Sequence, residues 1–299
     1  MLPAFVVVVL TAIWGYTFVP TKDAVALYPV VAFLAIRFLI ATGALGLVAA
    51  PRLRRLPRRG WLLGVGLGLL LGASLALQTA GLHRTTVSST GFITGLYVVL
   101  TPLFGLFLFR HRIGLAGWIG AGVSIAGLVL IAGAPGGGLA GDLLVLASCV
   151  TQALQILFIG RWAVRYDGLA LALVEVAACA VALLAVAGAL GELSLPRGGT
   201  VWFGLLVTAL PATAVALFAQ IWVQQRIAPA RAAILFTLEV PFAALFGILL
   251  QGDSLGVLGW LGGGLIGVAI LVVEPPVTEW LRAWLGGLFR SASGRPAAP

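Results

Sequence analysis

Apolar runs of about 20 residues, separated by short clusters of Arg, Gly and Pro, dominate the pattern along this chain, and runs of that length match the thickness of a lipid bilayer. Ten such runs, over 3–21, 30–49, 61–82, 88–109, 114–133, 142–161, 168–190, 201–223, 231–250 and 256–273, predict ten transmembrane helices. Barrel strands would be about 10 residues long with strict alternation, whereas these runs are unbroken and rich in Gly and Ala, as packed membrane helices are. The expected fold class is an all-α membrane protein.

A second pattern lies above the first. Gln78 matches Gln220, Arg84 matches Arg226, Leu96 matches Leu238, Phe104-Gly105 matches Phe246-Gly247 and Gly117-Trp118 matches Gly259-Trp260, all at a constant offset of 142. The match predicts two five-helix repeats, 1–135 and 136–275, joined by a glycine-rich connector. Because five is odd, the second repeat must start from the opposite face, which gives two inverted halves around a central cavity. Residues 276–299 are expected to form a cytoplasmic tail. In it Trp280, Leu281, Trp284, Leu285 and Leu288 recur at helical spacing, the pattern of a short interfacial helix or of an apolar but unstructured tail.

Charge adds the orientation. With the N-terminus inside, fourteen of the 18 Lys and Arg residues fall on the cytoplasmic side, three (Lys22, Arg84, Arg197) fall outside, and Arg37 lies within a span. The positive-inside rule therefore places both termini in the cytoplasm. The formal charge of +9 does not indicate nucleic acid as a partner, because the basic residues sit between apolar runs, and 61% hydrophobic against 9% charged residues is the composition of an integral membrane protein. Leu2 to Val19 lacks a basic leader and a small-residue cleavage site, so it is expected to be a retained first span. Cys149 and Cys179 sit alone inside apolar runs, as packing residues do.

Candidate chemistry is sparse. There is no paired carboxylate at useful spacing, no GxSxG, no HExxH and no phosphate-binding glycine loop, and His83 and His111 fall at loop edges, so neither an enzyme nor a metal or other cofactor is expected. What remains are polar residues within apolar runs, each unfavourable in lipid unless it faces protein or water. Counting about 1.5 Å per residue puts Trp14, Tyr97, Gln152, Gln155 and Glu239 near one depth at the bilayer midplane. Thr90, Thr94, Tyr97 and Thr101 form a polar stripe on one helix face, and Gln78 and Gln220 are expected to border the two mouths of the cavity. The Gln and Thr residues are equally compatible with bonds to neighbouring helices, and Trp14 and Tyr97 with plain packing. Arg37, roughly two turns below the outer surface, and Glu175, roughly two turns above the inner one, occupy equivalent places in the inverted halves and are expected to serve structure, too far apart in depth to pair. Pro20, Pro102, Pro211 and Pro241 are candidate hinges or tolerated kinks.

Trp14-Gly15 followed by Lys22, Arg37-Phe38, the segment from Thr94 to Pro102 and Leu238-Glu239-Val240-Pro241 together resemble the ten-span EamA type of the drug/metabolite transporter superfamily, over roughly residues 4 to 273. One departure is His111, standing where an acidic residue is usual; only the second half keeps it, as Asp253. The resemblance implies a bacterial inner-membrane carrier with a cavity lined by helices 1, 3, 4, 6, 8 and 9, and a looser likeness to the YddG aromatic amino-acid exporters. The expected function is export of a small metabolite, an amino acid with an aromatic or large apolar side chain, by alternating access. Its expected binding residues are Trp14, Gln78, Thr94, Tyr97, Gln152, Gln155, Gln220 and Glu239, and its partners a small-molecule substrate and the bilayer. Proton-coupled efflux of cationic drugs or quaternary amines through Glu239 is the alternative within transport. A lipid scramblase or membrane-embedded enzyme is the alternative of another class.

Overall fold

The computed structural model describes residues 2–85, 87–110, 114–132, 139–251 and 257–273. Among them each of the ten apolar runs is helical: α1 Leu2–Val25, α2 Val30–Leu53, α3 Arg58–Arg84, α4 Val87–Gly95, α5 Tyr97–Phe109, α6 Leu115–Ala132, α7 Leu139–Trp162, α8 Gly168–Ala189, α9 Gly199–Ala209, α10 Ala216–Gln224, α11 Pro229–Phe236, α12 Glu239–Gln251 and α13 Val257–Val273. Seven helical segments among the described residues are long and apolar enough to cross a membrane, and Ile93–Phe109, Leu115–Gly127 and Trp260–Ala269 are shorter apolar helices. The tail beyond Val273, His111 and Asp253 lie outside the described residues.

The radial pattern is that of a body surrounded by hydrocarbon. Leu47, Phe107 and Leu195 are exposed, whereas Thr11, Arg37, Ser74, Gln155, Glu175 and Glu239 are buried. Lipid is as apolar as leucine, so apolar side chains are found on both sides of the boundary, Leu34 and Phe33 inside and Leu47 outside, while polar side chains such as Glu175 are taken inside. The contact between α3 and α8 shows how such helices pack. Gly60, Gly64, Gly68 and Gly72 recur every fourth residue on one face of α3. A Cβ at Gly64 would meet the Val174 side chain at 2.6 Å, and one at Gly68 would meet the Glu175 carbonyl at 2.3 Å, so the backbones are in near contact.

The same neighbours give the helix directions. Gly64 lies against Val174, Gly68 against Glu175 and Ala178, and Gly72 against Cys179 and Leu183, so α3 and α8 run parallel. Gly204 of α9 lies against Pro20 and Ala24 near the end of α1, while Trp14 reaches Ala212, so α1 and the α9–α10 unit run antiparallel.

Two of the apolar runs expected to be continuous are interrupted. The fourth breaks at Leu96 and the ninth at Thr237-Leu238, where the backbone shifts to three-residue hydrogen bonds such as Leu96 N–H to Ile93 O and Val240 N–H to Thr237 O. The helices that follow, α5 and α12, are both 13 residues long and start and end at positions 142 apart. A third irregularity is a π-helical turn, Leu210–Val215, between α9 and α10. Proline 211 has no N–H to give to the preceding turn, and the ladder accommodates it with one wider loop.

Candidate functional site

The π turn and the start of α12 border a cavity of about 720 Å³, counting the space at its open mouth. Its wall is built from α1, α2, α3, α7, α10, the π turn and the start of α12. Along α1 the lining residues are Trp14, Thr17, Phe18 and Thr21, and along α3 they run from Leu71 to Leu82, so the cavity occupies the half of the bundle nearer the C-terminal ends of these two helices. The other half is closed by an apolar cluster that includes Val7, Leu10, Tyr97, Ile156, Val223 and Phe236. The Trp14 and Phe236 rings meet edge to face at 5.7 Å, which puts Trp14 at the border between filled and hollow halves.

Six of the eight expected binding residues line this cavity: Trp14, Gln78, Gln152, Gln155, Gln220 and Glu239. Gln78 and Gln220 open onto the same hollow rather than onto separate mouths, because the far half is packed shut. Thr94 stands one step behind the wall, its hydroxyl accepting from Gln78 Nε2 at 3.0 Å. Tyr97 is fully buried, with its hydroxyl unpartnered among the described residues, and belongs to the apolar cluster. Helix 4 of the ten-run count therefore backs the wall and helix 2 takes a place in it, through Arg37 and Phe38.

The polar groups fall into two sets. Some are fixed by the protein: Gln155 Nε2 donates to Glu175 Oε1, a buried carboxyl outside the cavity whose second oxygen has no partner among the described residues. Trp14 Nε1 donates to the Ala212 carbonyl at 3.0 Å, within the π turn, where widened backbone spacing leaves a carbonyl free to accept. The Thr213 hydroxyl, in the same turn, donates to the Thr208 carbonyl at 2.8 Å and accepts from Arg37 Nε at 2.8 Å. The second set is free: Gln152, Gln220 and Glu239 line the hollow and make no hydrogen bond among the described residues. Glu239 is also the first residue of α12. Arg37 and Glu175 are not paired with each other, as expected, but Arg37 faces the hollow rather than serving structure alone.

Sequence counting missed Arg37, Thr213 and Ser74 as wall residues. The signal for Arg37 was a charge inside an apolar run; the π turn that aims Thr213 at it has no sequence signature beyond Pro211.

Among the described residues no cluster of His, Cys, Asp or Glu could hold a metal ion. Both cysteines are free and buried. The arrangement offers a small molecule apolar surface beside polar groups.

Comparison with known proteins gives the family. An uncharacterized transporter of Archaeoglobus fulgidus is 29% identical over 264 residues, covering 88% of this chain and 82% of its own length. The uncharacterized inner membrane transporter YedA of Escherichia coli K12 is 28% identical over 287 residues, 91% of each chain. A crystal structure with a TM-score of 0.75 and 20% identity, covering 93% of this chain and 97% of its own, shares the fold. The model of the EamA-like transporter family matches twice, over residues 1–133 and 139–274, and the chain therefore belongs to that family of membrane transporters.

Proposed function

We propose that this protein is an exporter of the bacterial inner membrane that carries a small amphipathic metabolite, an amino acid with an aromatic or large apolar side chain, by alternating access. The observation that carries this is the composition of the cavity wall: Trp14, Phe18 and Phe38 offer apolar contact, while Gln152, Gln220 and Glu239 offer polar groups with no hydrogen-bond partner among the described residues. The inverted arrangement of two repeats is supported by the helix directions. The second helix of one half, α8, runs parallel to the third helix of the other, α3, which it could not do if the halves were oriented alike. The YedA name and the distribution of Arg support an inner-membrane location with cytoplasmic termini, and with that orientation the open half faces outward. In the alternate state the cluster around Tyr97 and Phe236 would part and the region around Thr21 and Leu82 would close.

Purified protein reconstituted into vesicles tests this with a panel of radiolabelled amino acids. Saturable flux of phenylalanine, tryptophan or leucine is the expected result, and no flux for any member removes the substrate assignment. Efflux of cationic drugs is the second reading, favoured by the Glu239 carboxyl, which has no partner among the described residues. The variant E239Q separates the two. It should abolish proton-driven efflux of a quaternary amine if that is the activity, but reduce downhill amino-acid flux less than tenfold, since the Gln oxygen still accepts from an ammonium group.

A further inference from the structure

Arg37 is the cationic residue in the cavity wall, and among the described residues no carboxylate neutralises it. It is 7% exposed, on the eighth residue of α2, and no carboxylate lies within 4.0 Å of it among the described residues. Its hydrogen bond to protein leaves from Nε, to the Thr213 hydroxyl at 2.8 Å, and its guanidinium lies 5.7 Å from the Phe38 ring. Thr213 cannot turn away, because its own proton goes to the Thr208 carbonyl at 2.8 Å. One of five guanidinium N–H groups is thus anchored, the plane is held, and the two terminal nitrogens are left for the hollow that the residue lines. A held guanidinium fork presenting paired N–H groups is the geometry that receives a carboxylate through two parallel hydrogen bonds.

Across the same cavity stands the opposite charge. Glu239, on α12, lines the hollow and has no hydrogen bond or ion pair among the described residues. A cation and an anion that share a low-dielectric chamber without touching each other suit a ligand that carries both complementary charges. We propose that Arg37 is the anion receptor of this cavity, taking the carboxylate of an amphoteric ligand whose ammonium group turns toward Glu239. This rests on the amino-acid reading above and narrows it, since a purely cationic ligand would leave Arg37 buried and uncompensated. The π turn is the positioning element: it aims Thr213 at Nε and receives Trp14 on the neighbouring Ala212 carbonyl, so the polar and apolar ends of the site are set by one turn.

Four probes that differ in one group each test the assignment on the full-length protein in detergent, by calorimetric titration: L-phenylalanine, L-phenylalaninamide, phenethylamine and hydrocinnamate. The native protein is expected to bind phenylalanine at least tenfold more tightly than the amide or the amine. R37Q is expected to weaken phenylalanine at least tenfold while changing the amide less than twofold, so that discrimination for the carboxylate disappears; R37K restores part of it. If R37Q does not elute as a folded species, T213V, which unties Nε but keeps the charge, should still reduce the preference for acid over amide severalfold. Equal binding of acid and amide by the native protein, or equal losses for both in R37Q or T213V, overturns the Arg37 assignment and leaves amino-acid transport standing. Binding of none of the four overturns both.

Discussion

At the scale of single residues, the polar groups that line the cavity are of two kinds, those the protein satisfies and those it leaves open among the described residues. The indole of Trp14 belongs to both. Trp14 lines the hollow and its N–H supplies the Ala212 carbonyl with a donor. W14F keeps most of the ring and removes the donor. It should lower stability by about 1–3 kcal/mol, the range for leaving a buried acceptor unpaired, read as a lowered midpoint of thermal unfolding in detergent. An unchanged midpoint would mean that the carbonyl finds another donor. A second residue-scale effect lies outside the membrane segments. Asp167 caps α8, accepting from the N–H groups of Leu169 and Ala170 at 3.0 and 2.9 Å, and its carboxylate meets Arg52 at 3.1 Å. Partial burial pushes its carboxyl upward, but the Ala170 N–H, the Arg52 guanidinium and the Leu169 N–H together hold it below the ordinary carboxylate value. A lowered carboxyl stabilises the fold above its unfolded value, about 3.9, and loses that contribution as pH falls through the folded value. D167A should therefore cost about 0.5–2 kcal/mol at neutral pH, chiefly from the cap because the ion pair is exposed, and the gap from the native protein should close in acid. A gap independent of pH would assign the loss to something other than the charged cap.

Elements pack here through what they lack. The stripe of Gly60, Gly64, Gly68 and Gly72 lets α3 sit on α8 with backbones nearly touching, and a methyl group at Gly68 has nowhere to go: it would lie 2.3 Å from the Glu175 carbonyl and 2.8 Å from the Ala178 Cβ. Gly66, two residues away on the opposite side, has no atom within 4 Å of the same added carbon. G68A should destabilise by about 1–3 kcal/mol, the cost of overpacking, and G66A should be neutral or slightly stabilising through helix propensity. Comparing the two thermal midpoints checks the contact directly, since chemistry and helix are the same. Because Glu175 holds Gln155, displacement of α8 by G68A should also weaken ligand binding, an effect G66A lacks.

For the whole molecule, the decisive asymmetry is that one half of the bundle is hollow and the other filled. Under the proposed orientation, the hollow half faces outward. A cysteine replacing Thr21, which lines the cavity near its mouth, should react with a membrane-impermeant maleimide applied to the outer face of intact cells. One replacing Leu10, buried in the cluster on the filled side, should resist the reagent from either face until substrate drives the exchange of conformations. Both native cysteines are buried and would contribute little background. Labelling of the Leu10 position alone, from inside, would reverse the assignment of which face is open.

Hydropathy and the 142-residue offset were enough to place the helical runs, because bilayer thickness and helix rise are constants that a one-dimensional count can use. They also led to Glu239 and the four glutamines that line the hollow, since a polar group in an apolar run is costly wherever the run goes. Three-dimensional contacts settled the rest. Helix rotation about its own axis moved Tyr97 and Thr94 off the cavity and Arg37 onto it, the π turn at Leu210–Val215 aimed Thr213, and the breaks at Leu96 and Thr237-Leu238 divided two runs that read as continuous. Depth along a helix follows from position in the chain, but the face a side chain presents depends on which neighbours fit against that helix. That choice is made by packing between segments far apart in sequence.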